Sequence, residues 1–288
     1  MCVTFAEASL SKTTIYAGEH KLAGGNIFHS LAYQMRAQNL ISDHDRGASG
    51  SSQGNAMILP VPAREHFTSE NIINTEGCPN FLTDIGTAAK LYSESFIQRA
   101  SGAMRGTLGG SLEFEMFRSG IYQIVIAKDS SFFERALLDV DEDKRPELNR
   151  EILSAYSSRW YQDWFMTLWC FSTRDAVDAT PALMLYEPLD PTRLFLPGLD
   201  CHTGEVPDLS AYVERDHTLA VSCLEMQGGN SVHYTEISIP GAVKRLLPDR
   251  VMGFLLPEGS ITPNCDFWYD ISAMRSPDLV LPSMIVPS

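Results

Sequence analysis

Ala56, Met57, Ile58 and Leu59 are apolar without alternation, the pattern of a strand covered on both faces. Pro60 and Pro62 then remove ladder donors and hold Pro60-Val61-Pro62 extended and stiff, so the strand is expected to end there. Upstream, residues 2–8 and 13–18 read as two short strands joined by a polar turn. A third strand is expected over His29–Arg36 after the Gly24-Gly25-Asn26 break, which completes an antiparallel meander. The stretch 42–55 is polar, rich in Gly and Ser and aperiodic, and is expected to be a long loop.

Farther along, Ile85, Ala88, Ala89, Tyr92 and Phe96 recur at near-helical spacing, with Asp84 as the expected cap. Residues 101–111 form a glycine-rich connector without the lysine and hydroxyl residue that end a phosphate loop. A strand over residues 120–127, a short helix near 132–138 and a second helix opened by Pro146 and running to about Arg159 follow. Leu148, Ile152 and Tyr156 line one face of that second helix. Strands are expected at 164–172, 182–187, 193–199, 217–224, 231–237 and 251–256, with a short helix near 243–247. Gly228-Gly229-Asn230 carries the hairpin signal between two of them. The tail LVLPSMIVPS is apolar and broken by proline, the pattern of an extended arm docked on this molecule or a neighbour. The order of elements predicts an α+β fold, strand-rich, with largely antiparallel sheets and a few helices packed on one side. It reads as a single unit over residues 1–288. A possible subdivision is a meander region at 1–119, a β-α-α-β-β block at 120–200 and a C-terminal β region at 201–288.

Composition narrows the function. With 22 Lys and Arg against 36 Asp and Glu the formal charge is −14, which repels phosphate backbones and anionic lipid surfaces, so neither nucleic acid nor membrane is an expected partner. Apolar runs fall short of the roughly 18 residues that span a bilayer, and the N-terminus lacks the basic and apolar regions of a secretion signal, so a cytoplasmic protein is expected. The six cysteines are scattered without a CxxC pair, which argues for reduced thiols and against a zinc knuckle. No cofactor and no metal are expected.

Candidate chemistry is sparse. Removal of Met1 would expose Cys2 as a first residue with a free amine and a thiol, the arrangement in which one residue supplies nucleophile and proton acceptor. Asp200, Cys201, His202, Asp216 and His217 offer the inventory of a thiol or metal site, but neighbours on a strand point to opposite faces, and a turn before Gly204 and Pro207 is favoured. Asp139, Asp141 and Asp143 imitate the start of a calcium loop that fails at Lys144 and Arg150, where glycine and glutamate are required. Trp160, Tyr161, Trp164, Phe165 and Trp169 form an aromatic group whose density suits core packing better than ligand stacking.

In the order IYAGE, LAYQMR, NAMILPVPA, SGIYQIVIAKDSSFFERAL and RPELNREILSAYSSRWYQDWFMTLWCF, the chain from about Thr13 to Asp200 resembles a bacterial family of unknown function with a Leu-Pro-Val-Pro signature after a three-strand meander. Met57-Ile58 stands where that family has an aromatic pair, and the resemblance implies a fold without assigning a functional residue. The opening CVTFAEASLSKTTIYAGE resembles the first hairpin of cysteine-type N-terminal nucleophile hydrolases such as the choloylglycine hydrolases, although Glu19 and His20 follow Gly18 where those enzymes place arginine. These observations favour a non-catalytic binding or self-assembling protein that engages a protein partner, or a second copy of itself, through the C-terminal arm. The alternative is an amidohydrolase acting through Cys2.

Overall fold

The structure is a computed structural model that describes residues 3–22, 24–40, 54–96, 115–172, 177–276 and 280–287. Its strands in the first half are Val3–Thr4 (β1), Ala8–Lys21 (β2), Ile27–Asn39 (β3), Asn55–Val61 (β4), Glu115–Ser119 (β5) and Tyr122–Ala127 (β6). Phe165–Phe171 (β7), Val177–Asp178 (β8), Ala182–Tyr186 (β9), Arg193–Leu196 (β10) and Tyr212–Ser222 (β11) follow. Asn230–Ser231 (β12), Arg250–Pro263 (β13), Asp266–Asp270 (β14) and Ser283–Ile285 (β15) complete the series. The helices are Phe81–Phe96 (α1), Ser131–Ala136 (α2), Arg150–Ser154 (α3, continued by a π turn over Ala155–Trp160), Gly241–Lys244 (α4) and Ile271–Met274 (α5).

The fold is α+β, strand-rich and largely antiparallel, as the patterning predicts. One sheet has the order β1-β4-β7-β6-β5, a second the order β12-β13-β11-β2-β3-β8 with β9 also on β3, and a third the order β10-β14-β15. The pairing of β11 with β2 is parallel.

Alternation along β4, β6 and β7 explains how the layers stack. Met57, Leu59, Ile124, Ile126, Phe165 and Trp169 face a core shared with Ile15, Leu31, Tyr33, Leu219 and Val221 of the larger sheet. The intervening Ala56, Ile58, Val125, Met166 and Leu168 face Phe133, Ile152, Leu153 and Tyr156 of the α2–α3 region. The larger sheet uses its other face, through Tyr16, Ala32 and Ala220, to hold Phe81, Leu82, Ile85 and Ala89 of α1. The two larger sheets therefore carry α1 and the α2–α3 region on their outer sides and bury their inner faces against each other, with Ile271 and Met274 of α5 in that shared core. Gly253 permits the close approach of α1, because a Cβ there would lie 2.4 Å from that of Ala89.

Several local expectations change on folding. The strand through Pro60 does not stop: β4 pairs with β7 as far as Val61. Phe5 N–H donates to the Ala56 carbonyl, so alternate residues 56, 58 and 60 turn their backbone away from β7, toward the β1 side. Pro60 thus lacks its donor on the side away from β7, and the β4–β7 ladder continues past it. The expected polar turn near Ser11 and Lys12 is a bulge inside the long β2, with Lys12 at φ 53°, while β1 leaves the meander for the other sheet. Helix α1 begins at Phe81, before Asp84, whose carboxylate instead accepts from the backbone and hydroxyl of Thr235. Asn149 caps α3 through the Glu151 N–H, so the helix starts four residues after Pro146. Gly228-Gly229-Asn230 does not turn a hairpin between neighbouring strands, because β11 pairs with β13 and β12 is only two residues long. Apart from Gly54 and Asn55, the loop read at 42–55 and the connector at 101–111 lie outside the described residues.

Candidate functional site

The residues with the most chemistry converge where the 197–204 segment crosses the start of β14. Gly198 allows the crossing, since a Cβ there would lie 2.1 Å from the Cys265 carbonyl. Asp266, 3% exposed, receives the crossing chain: its Oδ1 accepts from Gly198 N–H at 2.5 Å and Leu199 N–H at 3.2 Å, and its Oδ2 accepts from the Tyr161 hydroxyl at 2.6 Å. Burial outweighs these bonds and pushes the Asp266 carboxyl up to about 6. The same burial, with Asp266 beside it, raises Tyr161 well above an ordinary phenol, so the hydroxyl stays a donor. Asn264 ties the neighbouring loops, accepting from Asp200 N–H and donating to the carbonyls of Asp200 and Asp208.

His202 Nε2 meets Asp200 Oδ1 at 2.7 Å. Burial acts to raise Asp200, but the hydrogen bond and charge of His202 prevail and hold it below the ordinary carboxylate value. His217 lies within electrostatic range of His202, and burial lowers it well below an ordinary imidazole. It is therefore neutral, its Nδ1 accepting from the Asp216 N–H at 3.0 Å, and the 3.6 Å approach of Asp216 Oδ1 is not an ion pair. Asp216 Oδ2 accepts from Lys12 N–H at 2.6 Å, which joins the β2 bulge to β11 at the point where its register with β13 shifts. The Arg215 side chain is sealed beneath the same strands, donating to the Pro263 carbonyl at 2.9 Å and lying 5.3 Å from the Phe267 ring centroid.

The structure thus brings Asp200, His202 and His217 into one neighbourhood but does not join Cys201 to either histidine. Cys201 Sγ contacts the Thr203 hydroxyl at 3.3 Å. Among the described residues no group of three or more His, Cys, Asp or Glu is placed to hold a metal ion. Burial pushes the thiols of Cys78, Cys223 and Cys265 up to about 11 and that of Cys170 to about 12, away from thiolate chemistry at neutral pH. Cys2 lies outside the described residues; from Val3 onward the chain is held on this region, with Val3 bridged to Cys201, Thr4 N–H on the Cys201 carbonyl and Ala8 N–H on that of His202.

The other expected sites have structural partners. Asp141 accepts from Arg118 and Asp143 from the Ser172 hydroxyl, which dock the acidic turn on its neighbours. The aromatic group divides across the sheet: Phe165 and Trp169 enter the core between the sheets, whereas Tyr161 and Trp164 pack with Phe195 and Trp268 on the helix side. The C-terminal arm lies on its own molecule, β15 pairing with β14 and Val280 buried at 7% exposure. Sequence reasoning missed Asp266 and Arg215 and took Tyr161 only as a packing aromatic; a carboxylate opening the apolar run of β14 was the available signal.

No protein-family model matches the chain, and no curated protein matches it. Among solved structures it is similar to baculovirus P35, at 12% identity over 99% of this chain and 95% of that one, with a TM-score of 0.47. It is also similar to P35 in a caspase-8/P35 complex, at 12% identity over 96% and 92% of the two chains, TM-score 0.44. A mutated baculovirus P35 after caspase cleavage matches at 11% identity, 96% and 95% coverage and TM-score 0.44. Likeness at this level leaves function to be argued from the chain itself. Among the described residues no helix is long and apolar enough to cross a membrane.

Proposed function

We propose that the chain is a non-catalytic protein that acts by binding another protein. The observation that carries this reading is the use made of its polar centre. Asp266, Tyr161, Asn264 and Asp200 are turned inward onto the backbone of crossing loops and onto one another, where they fasten the sheets. A site built for turnover needs a nucleophile and a base in reach of a substrate, and the thiols of Cys170 and Cys265 are buried acids of high pKa. The five described cysteines are free thiols, which suits a reducing, cytoplasmic setting.

Self-association through the C-terminal arm is the narrower form of this proposal. Its support is the position of β15 at one end of its sheet, with Met284 at 42% and Val286 at 44% exposure. Pro282 and Pro287 bracket those residues, however, and a short strand between prolines is the usual protection of an edge against pairing. A foreign partner therefore ranks first.

The test is light scattering of the purified chain alone and mixed with purified candidate partners, beside a turnover screen on chromogenic amides. Caspase-8 is included among the candidates because one P35 structure holds it. A stoichiometric complex without amide turnover supports the proposal. Turnover that disappears in Cys2→Ala while the fold is kept would replace it with the N-terminal-cysteine amidohydrolase.

A further inference from the structure

Beyond the bulges, β11 and β13 leave the sheet together. Below this level β11 is flanked by β2, from the pairing His217↔Thr13 onward; above it, Tyr212–Arg215 pairs with Ser260–Pro263. Pro257, Glu258 and Gly259 stand opposite the single Asp216, with Gly259 at φ 83°, and beyond this irregularity the two strands continue as a two-stranded ribbon.

The two faces of the ribbon differ sharply. Arg215 and Thr262, 2% and 8% exposed, point inward, and Arg215 holds the Pro263 carbonyl while Asn264 N–H holds that of Ala211. On the outer face Tyr212 is 71% and Ile261 70% exposed. Register makes them neighbours: Tyr212 is opposite Pro263 and Glu214 is opposite Ile261, so an aromatic ring, an aliphatic chain and a proline form one continuous patch. Exposed carboxylates border it at Glu214 and Glu258, with Lys12 at the base where its backbone meets Asp216.

We infer that this ribbon is the docking surface of the binding function proposed above, and that its partner is a protein segment presenting apolar side chains beside lysine and arginine. The inference rests on that function. A rigid tyrosine beside an aliphatic side chain on a backbone fixed from beneath offers contact area at little cost in ordering. The acidic border, on a chain of formal charge −14, selects a basic partner and opposes a second copy of the same face.

The experiment pans random 12-residue peptides displayed on phage against the full chain, then measures each recovered peptide by fluorescence anisotropy. Wild type is compared with Tyr212→Ser, Ile261→Ser, Glu214→Lys and the distant exposed control Leu138→Ser. Recovered peptides are expected to combine aromatic or aliphatic residues with Lys or Arg. They should bind Tyr212→Ser and Ile261→Ser at least tenfold more weakly, lose affinity to Glu214→Lys and to added salt, and bind Leu138→Ser as wild type. Unchanged thermal melting of the serine variants would exclude unfolding as the cause. Equal binding to all variants, or no enriched peptide, overturns the ribbon. A concentration-dependent dimer lost in Tyr212→Ser would instead identify a second copy and overturn the basic partner. Failure of the binding function itself would appear separately, as amide turnover dependent on Cys2.

Discussion

Replacing Asp266 by asparagine should flatten the dependence of stability on pH. The carboxyl is raised from 3.8 to about 6 in the folded chain, chiefly by burial. Between those values the folded state holds a proton that the unfolded state has released. Its stabilising contribution is therefore complete below about pH 4 and is lost as pH rises through about 6. The difference of about 2 pH units corresponds to about 3 kcal/mol between the two limits. Asparagine keeps the geometry: Oδ1 still accepts from Gly198 and Leu199, and the amide that replaces Oδ2 donates to the Tyr161 hydroxyl, which reverses its role. Asp266→Ala also removes this titration and in addition strands three buried donors, so it should cost on the order of 4 kcal/mol near pH 4, the cost shrinking as pH rises through about 6. Urea unfolding of wild type and both variants across pH 4–8 reads these outcomes. Subtraction of the Asp266→Asn curve removes the opposing contributions of His29 and His217, whose values burial lowers. A wild-type-minus-variant difference that is constant with pH would refute the reasoning.

Gly253→Ala should destabilise by about 2 kcal/mol or more, because the new methyl falls on the Ala89 backbone, and a thermal melt checks it. Removing Val280–Ser288 takes away a buried valine and the β14–β15 pairing, so it should cost about 3 kcal/mol and lower the melting temperature by several degrees, whether or not the chain self-associates. Glu19→Ala should cost roughly 2 kcal/mol, since it leaves the Leu224 N–H without its acceptor and half-exposed Arg275 with only the Leu224 carbonyl; Glu19→Gln should recover part of this in the same unfolding assay. Iodoacetamide at neutral pH should leave Cys170 and Cys265 unmodified in the native chain and modify both in urea, as peptide mapping would show.

How much of this was legible beforehand depends on the range of the interaction. The two-sided burial of β4 was written in its unbroken apolar run, and all seven of its positions are buried. The face of α1 was written in its spacing: Ile85, Ala88, Ala89 and Tyr92 are buried against the sheet. Patterns of period 2 and 3.6 report whether a face meets oil or water, and that is local information. They carry no record of which strand lies alongside. The bulge at Lys12 looked like a turn because a polar pair inside a strand has the same composition as a loop. The parallel docking of β11 on β2 joins residues about 200 positions apart, and no spacing announces it. Asp266 became a candidate only when the 197–204 segment crossed it, and Tyr212 and Ile261 became one surface only through the register of β11 with β13. Sequence alone determined which faces are apolar, the class of the fold and the acidic charge; tertiary structure decided which residues meet, because contacts between distant segments are selected by the packing of the whole chain.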